Sequence, residues 1–202
     1  MESLKLHSFK RQQQFETENL LDEQEIVKNA KNDPSFFGIL YDRNYDRIFN
    51  YILKRVSNVS LAEDLTSNTF FKALEKISTF NWEGIPFSAW LYRIATNEIR
   101  MHFRKRKLLK FFAIDDYKEK IKDDKNCENE LIKAEEEWAK NQKFLQVTAE
   151  IQKLSIKYQE VIALRYFEEK SIREISGILN KSEGTVKSLI HRGLQKLEKE
   201  IN

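Results

Sequence analysis

The chain has 202 residues with 35 Lys and Arg against 32 Asp and Glu, a net charge of +3, five Gly and two Pro. So few turn formers in a strongly charged chain point to helices and argue against many-turned β-structure. The lone cysteine, Cys127, rules out an intrachain disulfide and a Cys-rich zinc site, and His7, His102 and His191 are far apart. No apolar run is long enough to span a membrane, and residues 1–19 lack the apolar core of a signal peptide. A soluble, cytoplasmic, reduced protein without membrane insertion and without cofactor or metal is expected. The charge is unevenly placed: residues 36–107 hold 12 Lys and Arg against 7 acids, 108–137 hold 6 against 10, and 153–202 hold 10 against 7. Two basic blocks flank an acidic one.

Residues 1–19 are polar and aperiodic and read as a mobile tail. The pattern predicts a short helix over 20–31, stopped at Asn32-Asp33-Pro34, and a second over 36–56 with Pro34 near its start. Phe37, Tyr41, Tyr45, Ile48, Phe49, Ile52 and Val56 recur at helical spacing, so they are assigned to the core rather than to nucleic acid. Ser60 and Glu63 have capping-box spacing, opening a helix through about Ile77. On it Leu61, Leu65, Phe70 (or Thr69) and Leu74 are expected to face inward, leaving Ala62, Asp64, Thr66, Ser67 and Asn68 partly outward. Gly84 and Pro86 mark 78–86 as a loop. A long helix over 87–107 follows, with Trp90, Leu91, Ile94, Ile99 and Phe103 among its apolar positions. It ends in Arg100, Arg104, Lys105, Arg106 and Lys107; the helix dipole alone favours cations there, and a cluster this dense also suits phosphates.

Residues 108–139 are charged and poor in apolar residues after Ile114, so they read as an acidic linker with a transient helix near 131–138. As a coil these 32 residues span roughly 30 Å, and about 105 Å when fully extended. The helical pattern resumes with Phe144, Val147 and Ile151, then Val161, Ile162, Leu164 and Phe167. Ser171 and Glu174 form another capping box, and Ile172, Ile175, Ile178 and Leu179 make one apolar stripe. Asn180 and Lys181 interrupt it. Ser182 is placed to cap a last helix carrying Val186, Leu189, Ile190, Leu194 and Leu197 inward, with Lys187, Ser188, His191 and Arg192 largely on the other faces. Two short helices joined by a tight turn fit a helix-turn-helix that enters the major groove, or an αα-hairpin that only packs on a neighbour. The fold class expected is all-α: two small helical domains, 20–107 and 140–202, joined by the charged linker.

Both halves resemble an extracytoplasmic-function-type sigma factor of the sigma-70 family, a promoter-recognition subunit of bacterial RNA polymerase. The matching words are AEDLTSNTFFKAL (62–74) and WLYRIATNEIRMHFRKRK (90–107), then LSIKYQEVIALRYFEEKSIREISGIL (154–179) and EGTVKSLIHRGLQKL (183–197). The resemblance makes 20–107 region 2 and 140–202 region 4. It implies that Asp64, Leu65, Thr66 and Asn68 dock on the clamp helices of core RNA polymerase. Ser67 and Asn68 stand where Gln and Glu are common. It implies minus-ten reading by Phe80, Asn81, Trp82 and Glu83 of the loop and by Asn97, with Arg100, Arg104, Lys105 and Arg106 on the backbone. Trp82 is either a stacking platform or an anchor of the loop. Met101 replaces a frequent Asp. It implies minus-thirty-five contacts by Thr185, Lys187, Ser188, His191 and Arg192. There Leu189 replaces a frequent Arg, so base preference does not transfer.

Promoter elements two helical turns apart are on the order of 70 Å separated, so a scaffold must hold the two halves at that span. Core polymerase and promoter DNA, duplex and melted, are the expected partners, with an anti-sigma factor a further candidate. The acidic linker either follows a basic nucleic-acid channel or is a solvated spacer. Two other classes of function are weaker. A free-standing helix-turn-helix regulator leaves the 62–74 helix idle, and no heptad seam supports a dimer. An enzyme is not expected: there is no Gly-rich phosphate loop, metal-ligand cluster or nucleophile with a positioned base.

Overall fold

The computed structural model describes residues 23–81, 86–112 and 142–201. The expected tail, Trp82, Glu83, Cys127 and most of the expected linker lie outside the described residues. Every regular element described is helical. Helix α1 (Glu23–Ala30) leads to α2 (Pro34–Val56), where Asp33 accepts from Ser35 N–H at 2.9 Å and Pro34 fills the first turn. Ser57 ends α2 in the left-handed region (φ 51°), its N–H returning to the Leu53 carbonyl at 2.8 Å.

Helix α3 (Val59–Lys76) starts earlier than the Ser60–Glu63 spacing suggests. Asn58 is extended and accepts from Leu61 N–H at 2.8 Å, which makes Asn58 the cap and leaves Ser60 exposed inside the first turn. After a 3-10 turn (Ile77–Thr79), α4 (Phe87–Phe112) continues past the expected boundary at 107. The second half holds α5 (Gln142–Lys153), α6 (Ile156–Ile162) with a π-helical extension (Ala163–Phe167), α7 (Ile172–Leu179) and α8 (Glu183–Ile201).

The core of the first half is formed by α1 to α4 around Ile26, Leu40, Ile48, Tyr51, Ile52, Leu91 and Ile99, each at most 1% exposed. The inward face of α2 is rotated from the expected stripe: Leu40, Asn44, Tyr51 and Arg55 are buried, and Tyr41 is 38% exposed. Asn44 and Tyr51 can enter because their polar atoms are bonded, Asn44 to the Leu40 carbonyl (2.8 Å) and Tyr51 to Thr96 (2.8 Å). Tyr41 and Tyr45 instead pack on Phe70, with ring centroids 4.6 and 6.3 Å away. On α3 two expectations reverse. Ala62 and Thr66 are fully buried, Thr66 donating to the Ala62 carbonyl at 2.6 Å, whereas Leu74 is 40% exposed.

In the second half Val161, Leu164, Ile175 and Val186 form the centre. The Ser171–Glu174 capping box is present, and Asn180 turns the chain in the left-handed region (φ 51°). Ser182 accepts from Thr185 N–H at 3.2 Å, as a cap for α8. Leu194 is not core; it is 38% exposed, and the inward position beside it is Gly193. A Cβ there would lie 3.0 Å from the Ile162 Cδ1 and 3.4 Å from the Tyr158 Cβ, so a larger side chain would have to push α6 side chains aside.

Candidate nucleic-acid interface

The first surface is the outer face of α3. Asp64, Ser67, Asn68 and Phe71 are exposed and follow one another at helical spacing. Leu65 is 7% exposed and Thr66 is buried, so neither presents its side chain to a partner in this arrangement. Phe71, 61% exposed, escaped the sequence reading; its place seven residues after Asp64 was the available signal.

The second surface is α4 and the loop before it. Phe80 is buried, its ring 5.5 Å from Phe87 and 5.0 Å from Trp90, and so anchors the loop, whereas Asn81 is exposed. Asn97 is exposed and accepts from Arg100 Nη1 at 3.3 Å. Arg104, Lys105 and Arg106 extend the exposed positive run. Their field registers on His102, whose imidazole is held below its ordinary pKa first by burial and then by Arg106 and Lys105.

Arg100 is already occupied. Its Nε and Nη2 give a bidentate pair of hydrogen bonds to Glu160 of α6, at 2.7 and 2.6 Å. Glu160 is 1% exposed, and its bonds hold the Arg100 guanidinium above its ordinary pKa. A second carboxylate reinforces the contact. The π-helical turn delivers Glu168 to the first half, where it accepts from Tyr92 at 2.5 Å and lies 3.4 Å from Lys54. Burial first, and then this carboxylate, drive the Tyr92 phenol far above its usual range. Lys170 sits 4.9 Å over the same ring, and α7 lies against α4. Glu160 and Glu168 were missed in the sequence; for Glu160 the available signal was an acid inside the apolar run 158–164.

The third surface is the start of α8. Thr185, Lys187, His191 and Arg192 are exposed and Ser188 is half-buried. Arg192 folds back to Ser188, Nη2 to Oγ at 2.6 Å, which sets the guanidinium along the helix. The three surfaces lie on different elements, so the structure does not gather the candidate residues into one cleft. Among the described residues no three His, Cys, Asp or Glu side chains group to hold a metal, and no helix is long and apolar enough to cross a membrane.

Residues 40–108 match Sigma-70 region 2 and residues 144–197 match Sigma-70, region 4. The chain is 33% identical over 184 residues to the ECF RNA polymerase sigma factor SigW of Bacillus subtilis, covering 87% of this chain and 94% of SigW. It is 32% identical over 174 residues to the ECF RNA polymerase sigma factor BldN of Streptomyces coelicolor, covering 86% of this chain but 63% of BldN. Among solved structures it is similar in fold to CnrH in complex with the cytosolic domain of CnrY, with TM-score 0.64 and 22% identity over 89% of this chain and 96% of that one. RpoE, solved with the anti-sigma factor NepR from Bartonella quintana, gives TM-score 0.61 and 22% identity over 81% and 94%. The chain belongs to the sigma-70 family of RNA polymerase sigma factors, in its ECF group.

Proposed function

We propose that this chain is an alternative sigma factor that binds core RNA polymerase, carries it to a subset of promoters and helps open the DNA there. It acts in the cytoplasm and makes no RNA itself. The observation that carries the reading is the separation of surfaces: α3 offers an acid beside an exposed aromatic, while α4 and α8 offer cations and amides on two other faces. Asp64, Asn68 and Phe71 form the polymerase contact, with Leu65 and Thr66 setting the helix from beneath. An exposed carboxylate suits a basic helical partner, and rim charges of this kind govern association rate and specificity. Asn81 and Asn97 read unstacked bases, Arg100, Arg104, Lys105 and Arg106 hold the backbone, and the α8 residues read the duplex upstream.

In the free chain Glu160 and Glu168 occupy positions on α2 and α4 that nucleic-acid phosphates would otherwise take. Promoter binding therefore requires the two halves to separate, as the span between promoter elements also demands. An anti-sigma factor that favours the closed arrangement fits this scheme; RpoE was solved in complex with an anti-sigma factor, NepR. The test is co-elution with purified bacterial core polymerase, with Asp64→Arg alongside. Binding by the wild type that is lost in the variant is expected. Absence of binding by a folded wild type that footprints duplex DNA alone would overturn the reading in favour of a free-standing regulator.

A further inference from the structure

Helix α4 packs on α2 and α3, with Leu91, Ala95 and Ile99 fully buried. Apolar burial is non-directional, so it fixes the depth of a helix more firmly than its rotation about its own axis. Two directional bonds supply the rest. Tyr51 of α2 meets the Thr96 hydroxyl at 2.8 Å, and Lys72 of α3 donates to the Glu98 carboxylate at 2.6 Å. Thr96 and Glu98 are both buried, and Asn97 between them is exposed. At about 100° per residue, Thr96 and Glu98 stand on opposite flanks of α4, with Asn97 midway on the outward arc.

A buried carboxylate loses its hydration, and a pair such as Lys72–Glu98 contributes little stability beyond an apolar pair of the same volume. What an apolar pair lacks is sharp geometry. A charge-assisted bond this short tolerates little sliding or rolling of one helix against the other. Rotation matters here because a side chain such as that of Asn97 ends about 5 Å from the helix axis, so a roll of about 20° carries it by about 2 Å. A hydrogen bond to a base edge is lost over that distance.

We propose that Lys72 and Glu98 are a positioning pair for base reading: with Tyr51 and Thr96 on the opposite flank, they hold the rotation of α4 at which Asn97 meets an unstacked base. Glu98 is buried and Lys72 is turned to it, so the pair acts through Asn97 and not by touching the strand. It rests on the promoter reading, in which Asn97 contacts melted DNA. The pair sets specificity and leaves the sequence-independent grip of Arg104 and Lys105 unchanged.

The test uses the full chain bound to purified core polymerase, with DNA single strands randomised over a central stretch as the probe. Sequencing the bound fraction gives a base preference at each position, read beside the affinity for the unselected pool. The wild type should select bases, and Asn97→Ala should lose the preference at one position. Lys72→Met combined with Glu98→Leu keeps the volume and removes both charges, so it should fold at least as stably as the wild type. It should still lose about five- to tenfold in preference at the Asn97 position, with unchanged affinity for the pool. Lys72→Arg, which can still reach Glu98, should keep most of the preference. Glu98→Gln should show a smaller loss at the same position and decides the matter if the double variant fails to fold. Ile48→Val, a core change that leaves the pair intact, should lower the unfolding midpoint without moving the preference. A folded double variant with wild-type preference there, or a loss spread evenly over all positions, would overturn the pair alone. A wild type that selects no base, or Asn97→Ala that alters none, would overturn the promoter reading and the pair with it.

Discussion

Replacing Glu160 with glutamine removes one charge from the contact that joins α6 to α4 and keeps the side chain's size. Glu160 accepts two short bonds from Arg100, at 2.7 and 2.6 Å, and is itself almost fully buried. Hydrogen bonds to charged groups contribute about 1.5–3 kcal/mol. Arg100 has 35% of its side chain exposed, so water replaces part of what is lost. Burial of Glu160 also carries a desolvation cost that glutamine relieves. A net weakening of about 1–2 kcal/mol follows, which shifts the closed-to-open ratio by a factor of about 5–30. A ligand that binds only the open state gains apparent affinity by up to that factor. The assay is fluorescence anisotropy with a labelled mixed-sequence single strand at fixed salt, since the basic run of α4 grips the backbone of any sequence. Glu169→Gln, an exposed acid of the same half, makes the same charge change without touching the contact. The Glu160 variant should bind the strand several-fold more tightly than the Glu169 variant, with a larger radius of gyration by scattering. A folded Glu160→Gln chain with the wild-type radius and no gain beyond the Glu169 control would refute the lock.

Other expectations follow from the same geometry. Ser171→Ala removes the capping box of α7 and should lower stability by about 1 kcal/mol, measured by urea unfolding. Burial raises the Glu174 carboxyl, but its bonds to Ser171 and the charge of Lys170 leave it below its ordinary value of 4.5. The stabilisation from this depressed acid is therefore complete above pH 4.5 and fades as the pH falls from there towards its folded value; thermal melts between pH 6 and 3.5 should show the loss in the wild type and less of it in Glu174→Gln. Gly193→Val forces a branched side chain against Ile162 and should cost about 1–3 kcal/mol in the same urea assay. Lys187→Ala should weaken duplex binding across sequences and reduce the slope of log affinity against log salt by about one, whereas a change in base preference would show that Lys187 reads an edge.

The α7–α8 turn was legible because its determinants are local. A capping box, an interrupted stripe at Asn180 and a cap at Ser182 each need only neighbouring residues, and all three are present. The order of the two halves and the cations of α4 were legible for the same reason. Helix starts were less so: Asn58 and Ser60 are both good caps, and only packing of Ala62 and Thr66 against the core selects Asn58. Faces were misread where polarity was taken as exposure. Thr66 was expected outward and is buried with a bond to the Ala62 carbonyl, Asn44 and Tyr51, outside the expected α2 stripe, are buried with partners that hydropathy spacing does not reveal, and on α8 it is Gly193 rather than Leu194 that is buried. Sequence alone thus determined the helices, their order and the charges they carry. Only tertiary structure decided that Glu160 and Glu168, 60 and 76 residues from Arg100 and Tyr92, close on them. A long-range ion pair leaves no period in the chain, because its partners are chosen by the packing of two independent halves.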